Sequence, residues 1–320
     1  MEQLDLIDKR ILTSLDENAR IPGSTLAKRL RISRQVLDYR MRQLVKRGII
    51  LHYTALIDPT AFYSNVWHFY VKLQNCTLAI EEKIMAFLEK TPRVWWIAGC
   101  NGEWDLIFSV CGDDIFLLDR FRMQFQSEFH HYLHEIIITT LVSAYVFPRT
   151  YFLMTKKKKK VYVEQREMKK IDPKDRAILK VLANEGRIPS TQLGRKVSLS
   201  GRQIVHRIRR LEKVGIIRAY RLHLQQKRLG YLYDKVCFYT QDFTEHTEKA
   251  IISWCETNPY VVYYLKKVAP WTFEIEFETS DYGVLHHTLK DMKSTFGSFI
   301  KRVEIIHINE ERKGELNVFD

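Results

Sequence analysis

The stretch Arg20–Leu26, RIPGSTL, returns at Arg187–Leu193 as RIPSTQL. Both belong to a longer echo, in which residues 4–53 lie over 171–220 at a constant offset of 167 with no gap. Asp5 meets Asp172, Asp8 meets Asp175, Ile11-Leu12 meets Ile178-Leu179 and Ser33 meets Ser200. Arg40 meets Arg207, Arg42 meets Arg209, Leu44 meets Leu211, and Gly48-Ile49-Ile50 meets Gly215-Ile216-Ile217. Two copies of one unit, rather than a solenoid of many, is the simplest reading of such an echo. Outside these stretches identity fades, though Trp104 still meets Trp271.

The chain has 320 residues, enough for about two to three domains with cores of their own. No apolar run approaches the roughly 20 residues of a membrane span, and MEQLDLIDKR is no secretory signal, so a cytoplasmic, membrane-free protein is expected. Its five cysteines are odd in number and form no C-x-x-C pair, which suits a reducing compartment. The net charge of +13 favours a polyanionic partner such as nucleic acid. A basic composition throughout an organism's proteins would give the same sum.

Within the first echo, Leu4, Ile7, Ile11, Leu12 and Leu15 follow helical spacing, which predicts a helix over Asp5–Asp16. Thr25–Leu30 reads as a short second helix with Ser24 as its cap. Ser33 caps a third, with Leu37, Met41, Leu44 and Val45 inward and Gly48 just past its end. Three short helices with a tight turn before the third make a helix-turn-helix. The third helix turns Arg34, Gln35, Asp38 and Tyr39 outward in its opening turns, where readers of this kind meet base edges. Arg40, Arg42 and Lys46 lie farther along and suit phosphates. The second copy offers Ser200, Arg202, Gln203 and His206, then Arg207, Arg209 and Arg210. Arg40 and Arg207 have an alternative role, pairing with Asp8 and Asp175 of the first helix.

The run Leu4-Asp5, Asp8, Ile11-Leu12, Leu15, Ala19-Arg20-Ile21, Leu26-Ala27, Ser33, Arg40, Leu44, Gly48-Ile49-Ile50 and Tyr53 resembles the N-terminal domain of the leucine-responsive regulatory protein (Lrp/AsnC) family. The second copy resembles it through Ile171-Asp172, Asp175, Ile178-Leu179, Arg187-Ile188, Leu193, Leu199-Ser200, Arg207-Ile208, Leu211-Glu212, Gly215-Ile216-Ile217 and Tyr220. The resemblance implies a winged helix-turn-helix that binds double-stranded DNA to regulate transcription.

After each echo the rhythm changes to strand Trp67–Leu73, helix Ile80–Leu88, strands Val94–Ala98 and Leu106–Val110, helix Ile115–Phe129 and strand Ile136–Val142. The second half repeats the order from Lys235 to Ile308. This βαββαβ order predicts a ferredoxin-like sandwich. The expected class is therefore α+β. Helix-turn-helix domains fall at 1–57 and 171–224, sandwiches at 62–154 and 230–313, and a Lys-rich linker at 155–170, whose Lys156–Lys160 could also touch phosphate.

Sandwiches in the Lrp/AsnC family pair with one another and can bind an amino acid or other small effector. The resemblance carries that role onto the turn holding Gly99, Asn101, Gly102 and Asp105; a plain hairpin turn would also need glycine. Lys266, Ala269 and Thr272 replace Gly99, Gly102 and Asp105 in the second half, which puts a second ligand site in doubt. The two sandwiches are expected to pair within the chain as a pseudo-dimer, open to further assembly as a homo-oligomer.

His130, His131 and His134 have a spacing a metal could use, but no carboxylate or cysteine cluster accompanies them. No catalytic or phosphate-loop motif occurs, so neither metal, cofactor nor catalytic residues are expected. Some enzymes resembling this family, fused double units among them, are tetrapyrrole (sirohaem) decarboxylases, and such an enzyme is the rival to a regulator. Because the two opening turns differ, either the readers prefer different half-sites, or the second is a non-specific phosphate clamp.

Overall fold

The computed structural model describes residues 4–155, 161–164 and 171–313. The first repeat opens with α1 (Leu6–Glu17), α2 (Gly23–Leu30), α3 (Arg34–Lys46) and strand β1 (Ile50–Ile57). Its sandwich follows as β2 (Asn65–Leu73), α4 (Leu78–Lys90), β3 (Val94–Gly102), β4 (Leu106–Gly112), α5 (Ile115–Phe129) and β5 (Leu133–Val146). A short strand β6 (Val161–Glu164) precedes the second repeat, whose reader is α6 (Pro173–Asn184), α7 (Ser190–Val197), α8 (Gly201–Lys213) and β7 (Ile217–Leu224). Then come the one-turn α9 (Gln226–Leu229), β8 (Leu232–Thr240), α10 (Glu245–Thr257), β9 (Val261–Val268), β10 (Phe273–Thr279), α11 (Tyr282–Phe296) and β11 (Ile300–Lys313). No described helix is long and apolar enough to cross a membrane.

The helix ends follow from local chemistry. Asp5 accepts from the Asp8 N–H at 2.8 Å and so caps α1, and Ser33 accepts from the Val36 N–H at 3.2 Å to cap α3. Ser200 and Gln203 form a reciprocal capping box on α8. Gly48 and Gly215 follow α3 and α8 with φ of 65° and 76°, a left-handed turn that costs glycine least. Two expectations are corrected. Pro22 occupies the cap position of α2 and Ser24 lies inside its first turn. Val45 is exposed, because the apolar stripe of α3 follows Leu37 and Leu44.

In each sandwich the strands run in the order β5-β2-β4-β3 and β11-β8-β10-β9, as a βαββαβ chain with two crossovers requires. Both final strands outrun their sandwiches. Leu133–Thr140 of β5 pairs with β2, and Thr140–Val146 pairs with β9 of the other half. Ile300–His307 of β11 pairs with β8, and Ile306–Lys313 pairs with β3. The eight strands thereby close a ring, with the helices outside. The expected strand Ile136–Val142 is short at both ends; at its C-terminal end the reason is that Thr140–Val146 belongs to a pairing about 120 residues away, which local periodicity does not register.

The readers exchange parts too. β1 and β7 pair antiparallel, with Ile50 opposite Leu224 and Ile57 opposite Ile217. The core of the first reader (Ile11, Leu12, Leu15, Leu26, Leu37, Leu44) includes Leu222 and Leu224 of β7. That of the second (Ile178, Leu179, Leu182, Ile204, Leu211) includes Ala55 and Ile57 of β1. Within the stretch read as a linker, Val161–Glu164 is a strand on β5; Lys156–Lys160 lie outside the described residues.

Candidate nucleic-acid interface

The outer faces of α3 and α8 carry the sequence-predicted readers, and the structure sorts them into free, tied and structural. On α3, Ser33, Arg34, Gln35, Tyr39, Arg42 and Lys46 are exposed. Arg34 is tied: its Nε sits 2.9 Å and 2.8 Å from the two carboxylate oxygens of Asp38, one turn along. Its guanidinium also lies over Gly23, where a Cβ would stand 2.1 Å from Nη1. On α8, Arg202, Gln203, His206, Arg209 and Arg210 are exposed. Gln203 is occupied at the cap, its Oε1 accepting from the Ser200 N–H at 2.8 Å.

Arg40 and Arg207 are struts. Arg40 Nη1 lies 2.6 Å from Asp5 and 2.9 Å from Asp8; Arg207 Nη1 lies 2.6 Å from Asp172 and 2.8 Å from Asp175. Arg210 joins the second set through Asp175, which is wholly buried. Of the two roles expected for Arg40 and Arg207, phosphate contact and pairing with the first helix, the second is the one seen, because the start of each first helix lies beneath them and presents two carboxylates to one guanidinium. The Arg207 hydrogen bond, then the Asp175 N–H, hold the Asp172 carboxyl below its usual range. Partial burial would raise Asp5, but the Asp8 N–H and Arg40 outweigh it. Among the described residues Arg42 and Arg209 make no ion pair and stay available.

The repeated Arg-Ile-Pro phrase, at Arg20 and Arg187, joins the two readers. Arg20 donates from Nη1 to the Gly186 carbonyl at 2.8 Å and stacks over Tyr220 at 5.5 Å. Arg187 returns the contact, donating to the Ala19 carbonyl and stacking over Tyr53 at 5.5 Å. The Ala19 N–H donates to the Tyr220 carbonyl at 2.8 Å, and the Gly186 N–H to the Tyr53 carbonyl at 2.6 Å. Gly186 has no room for a side chain, since a Cβ would meet Thr54 backbone at 2.8 Å. Between the strands His52 stacks on His223 with centroids 4.5 Å apart. Sequence reading missed these roles of Arg20 and Arg187, although the repeated Arg-Ile-Pro was the signal that could have found them.

A one-sided clamp then fixes the first reader to the ring. Arg149, after β5, is 2.9 Å from Asp16 at the end of α1 and 2.8 Å from Glu278 of β10. Arg221 of β7 reaches Asp16 at 2.9 Å, and Tyr151 donates to Glu278 at 2.5 Å. All four charged groups are buried. Burial would raise the Asp16 carboxyl, but Arg221 and Arg149 outweigh it and hold it low. Glu278 is held low by Arg149 against the same burial. Nothing in the local sequence marks this cluster, whose members are far apart in the chain.

The four residues carried over as an effector turn lie differently from the expectation. β3 continues through Gly102, so Gly99, Asn101 and Gly102 are strand, facing Glu310, His307 and Ile306 of β11. A Cβ on Gly99 would come within 3.2 Å of Glu310 and Met85, and one on Gly102 within 2.9 Å of the Ile305 carbonyl. These glycines therefore admit the crossing strand. Asp105 accepts from the Leu73 N–H at 2.8 Å and lies 3.2 Å from Lys72. Its counterpart Thr272 makes a side-chain hydrogen bond to Thr240 at 2.8 Å. Asn101 and Gly102 are exposed.

Comparison with known proteins agrees with this arrangement. The AsnC-type helix-turn-helix domain matches residues 171–212, and a winged helix-turn-helix DNA-binding domain matches residues 4–50. An uncharacterised HTH-type transcriptional regulator of Pyrococcus abyssi is 33% identical over 121 residues, covering 34% of this chain and 73% of that one. The proline dehydrogenase transcriptional activator of Rhodobacter capsulatus is 46% identical over 63 residues, 20% of this chain and 41% of that one. In fold, the siroheme decarboxylase NirDL matches over 98% of this chain and 94% of its own, with a TM-score of 0.65 at 12% identity. With a DNA-binding helix-turn-helix in each half and a regulator matched over most of its length, the chain belongs to the Lrp/AsnC family of DNA-binding transcription regulators.

Proposed function

We propose that the chain regulates transcription by reading two unlike half-sites with α3 and α8, held as a pseudo-twofold pair on one polypeptide. The observation that carries this reading is the contrast between a shared scaffold and unshared opening turns. β1–β7 pairing and the reciprocal Arg20 and Arg187 contacts relate the readers by symmetry. Their exposed faces do not obey it. Reader 1 presents Gln35, Tyr39 and the Arg34–Asp38 pair; reader 2 presents Arg202 and His206, with Gly201 and Val205 opposite Arg34 and Asp38. In this reading Arg34 leaves Asp38 to grip guanine, and Gln35 takes adenine. Arg42, Lys46 and Arg209 hold phosphates, while Ser33 and Ser200 set the helix starts.

Selection of bound sequences from random DNA by the full chain, at two salt concentrations, tests the proposal. The expected motif is an imperfect palindrome with half-site centres about one helical turn, or a small multiple, apart. A perfect palindrome overturns the claim of unlike readers, and one half-site beside featureless sequence makes α8 a phosphate clamp. Arg42→Ala and Arg209→Ala each lower the salt slope by about 1. Arg34→Ala changes the preferred sequence.

Effector sensing is the finer part of this reading. Gly99 and Asp105 lend it little support, since their contacts are internal; the exposed Asn101 and Gly102 at the end of β3 are its candidate positions. A second reading, a tetrapyrrole decarboxylase, draws on the whole-chain likeness to a siroheme decarboxylase, a likeness of fold. The absorbance spectrum of the chain incubated with sirohaem separates the two, since a regulator leaves the tetrapyrrole bands unchanged.

A further inference from the structure

The ring of eight strands holds a cavity of about 80 Å³ between the two sheets. Its walls bring repeat-equivalent residues together, because His68 and Ser109 of the first half correspond to Lys235 and Glu276 of the second. The second pair is satisfied: Lys235 Nζ lies 2.5 Å from Glu276 and 2.9 Å from Glu274. The first pair is not. Among the described residues, His68 Nδ1 and Ser109 Oγ are buried without a hydrogen-bond partner, as is Nε1 of Trp95, which lines the same cavity. His68 is 6% exposed and Ser109 wholly buried. They are direct neighbours across β2 and β4. Native proteins rarely leave one buried polar group unpartnered, since each costs about 1–3 kcal/mol. Three around one void mark a place built for something absent from the protein alone.

We propose that this cavity binds a small uncharged molecule with a short aliphatic body and a carbonyl-type acceptor, of which short aliphatic amides are the simplest members. Size sets the first limit. At roughly 10–15 Å³ per water-sized site, the void holds about five to eight such sites, the scale of a ligand with as many non-hydrogen atoms. Polarity sets the second. Trp95 can only donate, Ser109 can donate, and a neutral imidazole offers one donor and one acceptor. A carbonyl oxygen beside an amide nitrogen answers all three. Leu56, Ile57, Leu141 and Leu265 supply the apolar wall. Charge sets the third. Lys235, Lys267, Glu274 and Glu276 are balanced and mutually paired, so a charged ligand would add an uncompensated charge to a buried space. Burial, followed by Lys267, keeps His68 neutral, with its pKa far below the usual imidazole range. Leu56 and Ile57 end β1, so a bound molecule touches the strand that carries the first reader.

The proposal does not depend on which helix reads which sequence, so its failure and that of the DNA reading are separable. The test is titration of the full chain with isobutyramide, isovaleramide and isobutyrate, followed by tryptophan fluorescence from Trp95 and Trp96 and by ligand-observed NMR. The amides are expected to saturate with a Kd of about 1 mM, as their size allows. Isobutyrate is expected to bind at least about tenfold more weakly. Ser109→Leu, which fills the void, should abolish binding. If circular dichroism shows that variant misfolded, Ser109→Ala keeps the space and should weaken the amides about fivefold to tenfold. Absence of saturation by either amide up to roughly 50 mM would mean that water alone fills the void, and the proposal falls. It falls equally if isobutyrate matches the amides, or if the serine variants bind as the parent does.

Discussion

The inward faces of the two sheets are built on the same strands from opposite materials. In the first half the ring interior presents His68, Cys100, Ile107, Ser109 and Cys111. At the equivalent places the second half presents Lys235, Lys267, Glu274, Glu276 and Glu278. The charged set is fully buried and densely paired. Glu274 takes Lys235 and Lys267 at 2.9 Å each, Tyr70 at 2.6 Å and Trp271 at 2.8 Å. Burial would raise its carboxyl, but the two lysines outweigh that and hold it low. A duplicated chain can specialise in this way. Identical subunits would place two charged sheets, or two neutral ones, face to face, whereas one chain sets a charged face against a neutral one that reaches into it through Tyr70. The clamp shows the same asymmetry: Asp16, Arg221 and Glu278 stand where the other side has Ala183, Thr54 and Cys111. The seam between the readers, by contrast, is kept alike on both sides.

The largest test of this contrast removes one charge. Glu274→Gln leaves the buried Lys267 without a carboxylate and Lys235 with Glu276 alone, and is expected to cost about 3–5 kcal/mol in denaturant unfolding. Ile107→Val, at the equivalent position, should cost about 0.5–1.5 kcal/mol. Equal costs would dissolve the distinction between charged and neutral faces.

Arg149→Leu comes next, at about 3 kcal/mol, because Asp16 and Glu278 are left buried together. The loss should be local to one reader: amide exchange of α1 quickens while that of α6 holds. Uniform quickening would mean that the clamp stabilises the whole ring.

Acid loads the reader seam as well as the ring, where burial also depresses His68. Burial, then His52 and Arg149, push the His223 imidazole from 6.5 to about 4, with Glu278 opposing; burial also lowers His52. Depressed histidines contribute full stability above the unfolded value and lose it as protons favour the unfolded chain. Stability should therefore fall between about pH 6.5 and pH 4, by about 2–3 kcal/mol. His223→Gln should flatten that part of the profile. An unchanged profile would show that the stacked pair does not titrate with unfolding.

The smallest effect concerns what the copies share. Arg20→Ala and Arg187→Ala each remove one charged donor to a carbonyl and one cation–π contact, for about 1–2 kcal/mol. Because the contacts are reciprocal, the two losses should agree within about 0.5 kcal/mol. A clear difference would place asymmetry in the seam as well.

Much of this protein was legible in its residues taken in order. The echo announced two readers, Asp5, Ser33, Ser200 and Gly48 marked helix boundaries, and apolar spacing predicted α5 to the residue. These features depend on groups within a turn or two of one another, so adjacency in sequence is adjacency in space. The reader motif itself is such a feature, and it alone pointed to the family. Tertiary structure decided the rest. Arg40 and Arg42 look alike as two arginines of one helix, and the packing of α1 beneath the side that carries Arg40 makes the first a strut and leaves the second free. β5 and β11 look like ordinary last strands until each finds its second partner in the other half. The alternation of Phe273-Glu274-Ile275-Glu276-Phe277-Glu278 predicts a strand with one polar face, as any solvent-facing strand would show. That this face closes over buried lysines instead depends on partners brought in from distant parts of the chain, and a period of two residues carries no information about them.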